Sequence, residues 1–452
     1  MTSSRKESSG RLEIVFIDSE PPDVGGGGIR TYMRLALQAC RDAGVAAMVY
    51  SHNPLAYPGE RSLPIGRKPL PAPLRGLAYR ICYRENIHWE HARWLGAELA
   101  AGDAPCRVYE FCDYQGYAFF ALRNPILKAR VLVRVHTPHF LIAPVTGKNP
   151  AQWPARLAAW REKDCLIRAR HLTVPSAEFV RGKLPWLGNW TYVPNPVPPL
   201  SADPASLLAK TQASLPDSVP VSFPDFPPLP GADPGSDWVA APDKIPESAE
   251  RPPAVRIMPD RFLYLGRVEE RKGILVAIRA FLRLAPEMPY ASLTLVGAAA
   301  PGPYAEQVRA LVDSQPPLMR LRLVWEPPCP AEARPALFRR FTCLIVPSLW
   351  ENSPYTYFEG MASGLHCIGS DCGEMRAAAQ ATGGLLARPG DEEDWLRIMR
   401  AHCLGAGRDA LAAQASFLSG RRKEIPGLMF SAYRRAAGAA EAGGDRTIPS
   451  PA

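Results

Sequence analysis

Strand-length apolar runs alternate with stretches of helical periodicity along most of this chain, and one long proline-rich interruption splits the pattern in two. Before the interruption, LEIVFID leads through Gly25–Gly28 into IRTYMRLALQACRDAG, and VAAMVYS follows. RVYEF, ARVLVRVH, the helical PARLAAWREKDCLIRAR, HLTVPS and WTYVPNP continue the series. After it come FLYLGRV, GILVAIRAFLRLAP, ASLTLVG, YAEQVRALVDSQ, LRLVWEP, AEARPALFRRF, TCLIVPS, SPYTYFEGMASG and LHCIGSD. Apolar strands separated by helices predict parallel sheets covered on both faces. At 452 residues the chain exceeds what one hydrophobic core holds, so two doubly wound α/β domains facing across a cleft are expected. The boundaries read as 11–195 for an acceptor-side N-terminal domain, 196–260 for a proline-rich linker, 261–424 for a C-terminal ligand-binding domain, and 425–440 for a helix returning to the first domain. In the linker roughly a quarter of the residues are proline, which suits extended chain rather than a packed element.

Composition narrows the function classes. Apolar residues at 47% and charged residues at 21% exclude wholesale disorder. The excess of 53 Lys and Arg over 44 Asp and Glu favours anionic ligands, a phosphorylated small molecule, nucleic acid or an acidic membrane face. Nucleic acid lacks a recognisable module or an aromatic-basic stripe. The opening MTSSRKESSGRLEIVFID has no leader-like apolar core, and no run approaches a membrane span, so a cytosolic protein is expected. Ten scattered cysteines form no C-x-x-C pair and read as buried thiols in a reducing compartment. Glu85, His88 and His91 share adjacent helical turns, but no second E-x-x-H completes a metal site, so a solvated helix face is expected. The basic, aromatic stretch GRKPLPAPLRGLAYRICYR could touch an anionic lipid surface, against the plainer reading of a proline-broken loop.

Three clusters carry chemistry. Gly27 and Gly28 stand between a strand and a helix, where backbone N–H groups at the helix start suit phosphate, although the third glycine of the dinucleotide fingerprint is missing. Arg267 and Lys272 follow a strand and could neutralise a departing diphosphate, unless Glu269 and Glu270 simply balance them. The third is PSLWENSPYTYFEGMASG. Ser353 reads as a helix N-cap and Pro354 as the first helical residue, so a helix starts between Glu351 and Glu359. The two carboxylates then lie on the order of 10 Å apart along the axis. That span fits a ligand with hydroxyls at both ends and phosphates between them, a nucleotide sugar. Glu110 and Asp113 in YEFCDYQG sit at a strand end where they could orient acceptor hydroxyls, with helix capping the alternative for Asp113.

The segment E-N-S-P-Y-T-Y-F-E resembles the E-x7-E motif of glycosyltransferase family four, the retaining enzymes of GT-B fold. GGGGIRTYMRLAL, VRVHTPH, VPNPV and LYLGRVEERKG resemble that family's other segments in the same order. The resemblance implies a GT-B fold and transfer of a hexose from a nucleoside-diphosphate sugar to an acceptor hydroxyl, with retained configuration. Carried over, Gly27 and Gly28 approach the donor phosphates, Arg267 and Lys272 bind the diphosphate, and Glu359 binds the ribose. Glu351 with the backbone of Asn352 and Ser353 holds the sugar, and His136, preferred to His139, stands beside the reacting carbon; the alternative is a strand-end histidine bound to backbone. No D-x-D triplet occurs, so no metal or other cofactor is expected. The acceptor would be a glycan, a lipid-linked glycan or a small molecule, with peripheral contact at the inner membrane face. Glu374 stands where the family carries a small residue, which keeps a silent nucleotide-sugar binder open beside a nucleotide-sugar epimerase of the same architecture.

Overall fold

The computed structural model describes residues 11–20, 27–69, 72–146, 149–200, 260–407 and 410–438. Most of the proline-rich stretch, Gly25 and Gly26 lie outside them. The first sheet holds β1 (Glu13–Asp18), β2 (Ala46–Ser51), β3 (Ser62–Pro64), β4 (Arg107–Cys112), β5 (Val131–Arg134), β6 (His171–Val174) and β7 (Trp190–Tyr192), all parallel in the order β3-β2-β1-β4-β5-β6-β7. Its helices are α1 (Gly28–Asp42), α2 (Ala72–Ala101), α3 (His139–Ile142), α4 (Trp153–Arg168) and α5 (Ala177–Lys183). The basic stretch after Gly66 is thus mostly helical from Ala72, not a proline-broken loop: its prolines fall at or before the first turn, where a missing N–H costs nothing.

The second sheet repeats the plan. β8 (Arg261–Leu265), β9 (Ser292–Val296), β10 (Leu323–Glu326), β11 (Cys343–Val346), β12 (His366–Ser370) and β13 (Leu385–Ala387) run parallel in the order β10-β9-β8-β11-β12-β13. Around it pack α6 (Ile274–Leu284), α7 (Pro303–Asp313), α8 (Pro317–Arg320), α9 (Arg334–Phe338), α10 (Tyr355–Ala362), α11 (Gly373–Thr382) and α12 (Glu392–Cys403). Each sheet reverses direction beside its first strand, between β1 and β4 and between β8 and β11. Such a reversal opens a crevice at the strands' carboxyl ends.

The last helix, α13 (Ala410–Ala437), joins the two halves. Its Leu418, Ile425, Met429 and Tyr433 are buried in a core that also contains Phe16 and Val108 of the first sheet and Leu344 and Val346 of the second. Continuous apolar burial of this kind makes the two lobes pack as one body in the described conformation.

Candidate functional site

The two switch points bring several of the residues singled out in the sequence to one seam. After β8 the chain makes a turn over Glu270–Lys272 that ends at Gly273 in the left-handed region, φ +61°. A side chain there would stand 2.1 Å from the Pro347 carbonyl oxygen, so glycine lets the turn lie against the end of β11. Lys272 thereby reaches Glu351. Arg271, which sequence reasoning passed over, joins them: its Nη1 lies 2.9 Å from Glu351 Oε1 and its Nη2 2.9 Å from Glu269 Oε1. Ser348 Oγ donates to the same Glu351 oxygen at 3.0 Å. Burial alone would raise the Glu351 pKa, but Arg271 and Lys272 outweigh it and bring it down to about 2. Lys272 is buried too, and desolvation followed by the neighbouring Arg271 lowers its pKa despite Glu351.

Glu351 and Glu359 are both largely shielded from solvent, not two solvated carboxylates. Glu359 does not share the cations of Glu351. Arg334 Nη1, at the start of α9, donates to both its oxygens at 2.8 and 2.9 Å, and its pKa is raised by burial with Arg334 opposing. The helix between the glutamates starts one residue later than its sequence suggests. Pro354 is the cap residue, and the Ser353 hydroxyl caps nothing because Pro354 is extended, which carries the first helical N–H groups away from it. Arg267 is the most accessible cation of the group, its side chain 58% exposed and 3.4 Å from Glu269 Oε2.

The opposite wall comes from the first sheet. Asn352 Nδ2 donates to the carbonyl of Val135 at 3.1 Å and to that of His136, tying the E-N-S segment to the end of β5. The His136 ring packs edge-on to Tyr32, centroids 4.8 Å apart, and burial, then Arg134, pushes its pKa well below that of a free imidazole. It is a neutral ring, and its buried Nε2 has no partner among the described residues. Arg134 is fixed by Asn195 Oδ1 at 2.7 Å and stacks on Tyr32. Gly28 opens α1 opposite Tyr355, whose ring lies in contact distance, while Gly27 lies against the Glu20 carboxylate. Burial, then Asp18, raises Glu20 to about 7; Arg30 and Arg267 oppose the shift.

Three expectations need correction. Glu110 does not stand on an acceptor wall: it is 1% exposed and accepts from Tyr433 Oη of α13 at 2.7 Å, an interaction between segments far apart in sequence. Asp113, equally buried, lies beneath the His136 loop, and backbone N–H groups of His136 and Thr137 oppose the rise in its pKa that burial causes. The face with Glu85, His88 and His91 is not solvated. His88 Nδ1, His91 Nδ1 and His52 Nε2 converge on the Tyr117 hydroxyl at 3.0, 3.2 and 2.9 Å, and Glu85 pairs with Arg161 at 3.0 Å.

Glu374 also resolves. Its side chain turns to Arg421 of α13 and to the Tyr192 hydroxyl, while its N–H donates to the Asn352 carbonyl at 3.0 Å. The close approach is made by Gly373, at φ +55°, where a side chain would stand 2.4 Å from the Glu351 carbonyl oxygen and 2.5 Å from that of Asn352. Nothing in the local sequence signalled Glu162, whose carboxylate accepts from the backbone N–H groups of Gln115, His139 and Phe140 and holds the loops after β4 and β5 together.

Residues 259–402 match the family model described as Glycosyl transferases group 1. No curated protein matches the chain. Among solved structures, a sucrose-phosphate synthase from Thermosynechococcus elongatus superposes with a TM-score of 0.63 at 18% identity, covering 95% of this chain and 100% of the other. HepE of Anabaena in complex with UDP-glucose gives 0.60 at 13% identity, with 93% and 100% covered. WaaG, a glycosyltransferase involved in lipopolysaccharide biosynthesis, gives 0.55 at 15%, with 95% and 100% covered. The fold is therefore GT-B, two Rossmann-like domains across a cleft.

Proposed function

We propose that the protein is a retaining glycosyltransferase that moves a hexose from a nucleoside-diphosphate sugar to an acceptor hydroxyl. The observation that carries this reading is the Asn352 bridge, because it brings Glu351 and its two cations to His136 within one seam. The match over residues 259–402 supports the activity, and the UDP-glucose bound by HepE supports the donor class.

The chemistry follows from charge. In the bound donor, Arg267 and Lys272 face the diphosphate from one lobe, and the N–H groups at Gly27 and Gly28 face it from the other. Glu359 accepts from the ribose hydroxyls. Glu351, ionised at any working pH, and the backbone of Asn352 and Ser353 hold the sugar hydroxyls. When the bond between the anomeric carbon and phosphate oxygen breaks, the leaving diphosphate gains negative charge and the ring gains oxocarbenium character; the cations stabilise the former. The acceptor oxygen forms its bond on the same face and gives its proton to the departing phosphate oxygen. Neutral His136 hydrogen-bonds the sugar beside the reacting carbon. No metal is required in this scheme, because the side-chain cations carry the charge balance.

Glu374 supports turnover over silent binding, since its side chain leaves the backbone approach to Gly373. We further propose a cytoplasmic location, in keeping with the reducing compartment that ten scattered cysteines without a C-x-x-C pair suggest. Among the described residues no helix is long and apolar enough to cross a membrane. The test is a thermal-shift screen against UDP-, GDP- and ADP-sugars, since a ligand bound only by the folded form raises its apparent stability. One donor should raise the midpoint, and Glu359→Ala should abolish that rise; an unchanged rise in the variant refutes the ribose assignment. Product analysis with acceptor then separates transfer from epimerisation.

A further inference from the structure

The outer face of α4 (Trp153–Arg168) carries a pattern that neither the fold nor the cleft accounts for. Its inner face, with Ala158, Arg161, Glu162, Cys165 and Leu166, is buried. On the outer face Trp153, Trp160 and Ile167 recur every seven residues and are 60%, 50% and 70% exposed. Seven residues are nearly two helical turns, so the three form one ridge. Arg156 and Lys163 fall between them along the same face, and Arg170 follows just beyond the helix; all three are exposed. The ridge holds no carboxylate. Of the two acids between 153 and 170, Glu162 is buried and Asp164 is held by Arg123 and Arg168 at 2.7 and 2.9 Å.

We propose that this ridge docks the N-terminal domain on an anionic lipid bilayer. Tryptophan has an apolar body and a polar N–H and belongs at headgroup level, while Arg and Lys extend their charges to lipid phosphates beside buried stems. From Trp153 to Ile167 the ridge runs about 21 Å, a length that lies flat in the interface. A second copy of the chain fits less well, because pairing two such ridges sets Arg156 and Lys163 against their own kind. Position adds a consequence, which rests on the transferase reading. As the crossover from β5 to β6, α4 runs against the strands, so its Trp153 end lies at the cleft end of the sheet. The acceptor is then one anchored in the bilayer on which the ridge sits.

The experiment is co-sedimentation of the whole protein with vesicles of phosphatidylcholine, alone and mixed with phosphatidylglycerol. Binding should appear with the mixed vesicles, weaken in high salt, and fall roughly tenfold or more in W153S/W160S/I167S and in R156E/K163E. Arg156 and Lys163 are exposed, so R156E/K163E should lose binding at an unchanged unfolding midpoint, whereas the triple variant also gives up the Trp160 ring contact with Phe119 at 5.3 Å. Equal sedimentation with both vesicle types, or variants that bind as the wild type does, overturns the proposal. So does a concentration-dependent mass in lipid-free solution that the triple variant abolishes, which would assign the ridge to a second copy. The donor-induced midpoint rise, measured on the same variants, should persist. If it is missing in the wild type while vesicle binding holds, the transferase reading fails and the lipid surface stands.

Discussion

The loop that carries Glu351 and the helix that carries Glu359 belong to one nine-residue segment, yet the protein treats the two carboxylates oppositely. Glu351 faces Arg271, Lys272 and Ser348 and is driven down to about 2; Glu359 has Arg334 and a pKa raised by burial. The difference lies in the number of compensating charges. Two cations overcome desolvation, and one does not. A carboxylate with two cations is a fixed negative post that orders the positive charges which the proposed diphosphate would meet. One with a single arginine would, in the proposed donor complex, exchange that arginine for the ribose hydroxyls.

The sharpest way to break this comparison is to remove each post. Glu351→Ala leaves Arg271 and Lys272 buried with Glu269 as their remaining carboxylate, and losing one partner of a buried ion pair costs about 3–5 kcal/mol. Denaturant unfolding should show that loss together with abolished transfer. Glu359→Ala should cost about 1 kcal/mol or less, because Arg334, 22% exposed, can turn to water. Equal losses at the two positions would mean that the difference in partners has no energetic content. Between these extremes lies Gly373→Ala. It forces a side chain into the left-handed region and against the carbonyls of Glu351 and Asn352, so a loss of about 2 kcal/mol is expected, with donor binding impaired as the Glu351 loop shifts. A stable Gly373→Ala protein with normal donor binding would show that the loop is not held by that contact.

Much of this is legible in the amino-acid sequence. Strand and helix order follow from hydrophobic periodicity, and the position of the cleft follows from having two such sheets, so Lys272, Glu351 and Asn352 could be assigned to the element ends that face it. What could not be read was which charge faces which. Arg271 and Lys272 are adjacent in sequence, and both reach Glu351 because Gly273 presses the turn onto β11. Arg334 lies 25 residues before Glu359, and nothing local links them. Glu110 reads as a strand-end carboxylate until α13, more than 300 residues later, supplies Tyr433. Partners brought together by crossovers leave no periodic trace, whereas faces and element ends do.

The smallest expected effect is also the most direct reading of the opposite pKa shifts. For Glu351 the folded value lies below the unfolded one, so its contribution to stability is fully present above about pH 4.5 and is lost as pH falls toward 2. For Glu359 the sign reverses: the folded state holds its proton more tightly, so its charged form costs stability as pH rises through the folded value. As pH falls Glu359 therefore takes up its proton before Glu351 does, and a protonated carboxyl is a weaker acceptor for the two ribose hydroxyls of the proposed donor complex. Donor affinity, measured by titration calorimetry between pH 7.5 and about pH 5, should weaken in the wild type by a few-fold. In Glu359→Gln the affinity should be lower throughout and flat over that range. A wild type with flat affinity would place the ionised form of Glu359 outside the donor contacts, and a sloping Glu359→Gln would move the titration to another group, with Glu20 at about 7 beside Gly27 the first to examine.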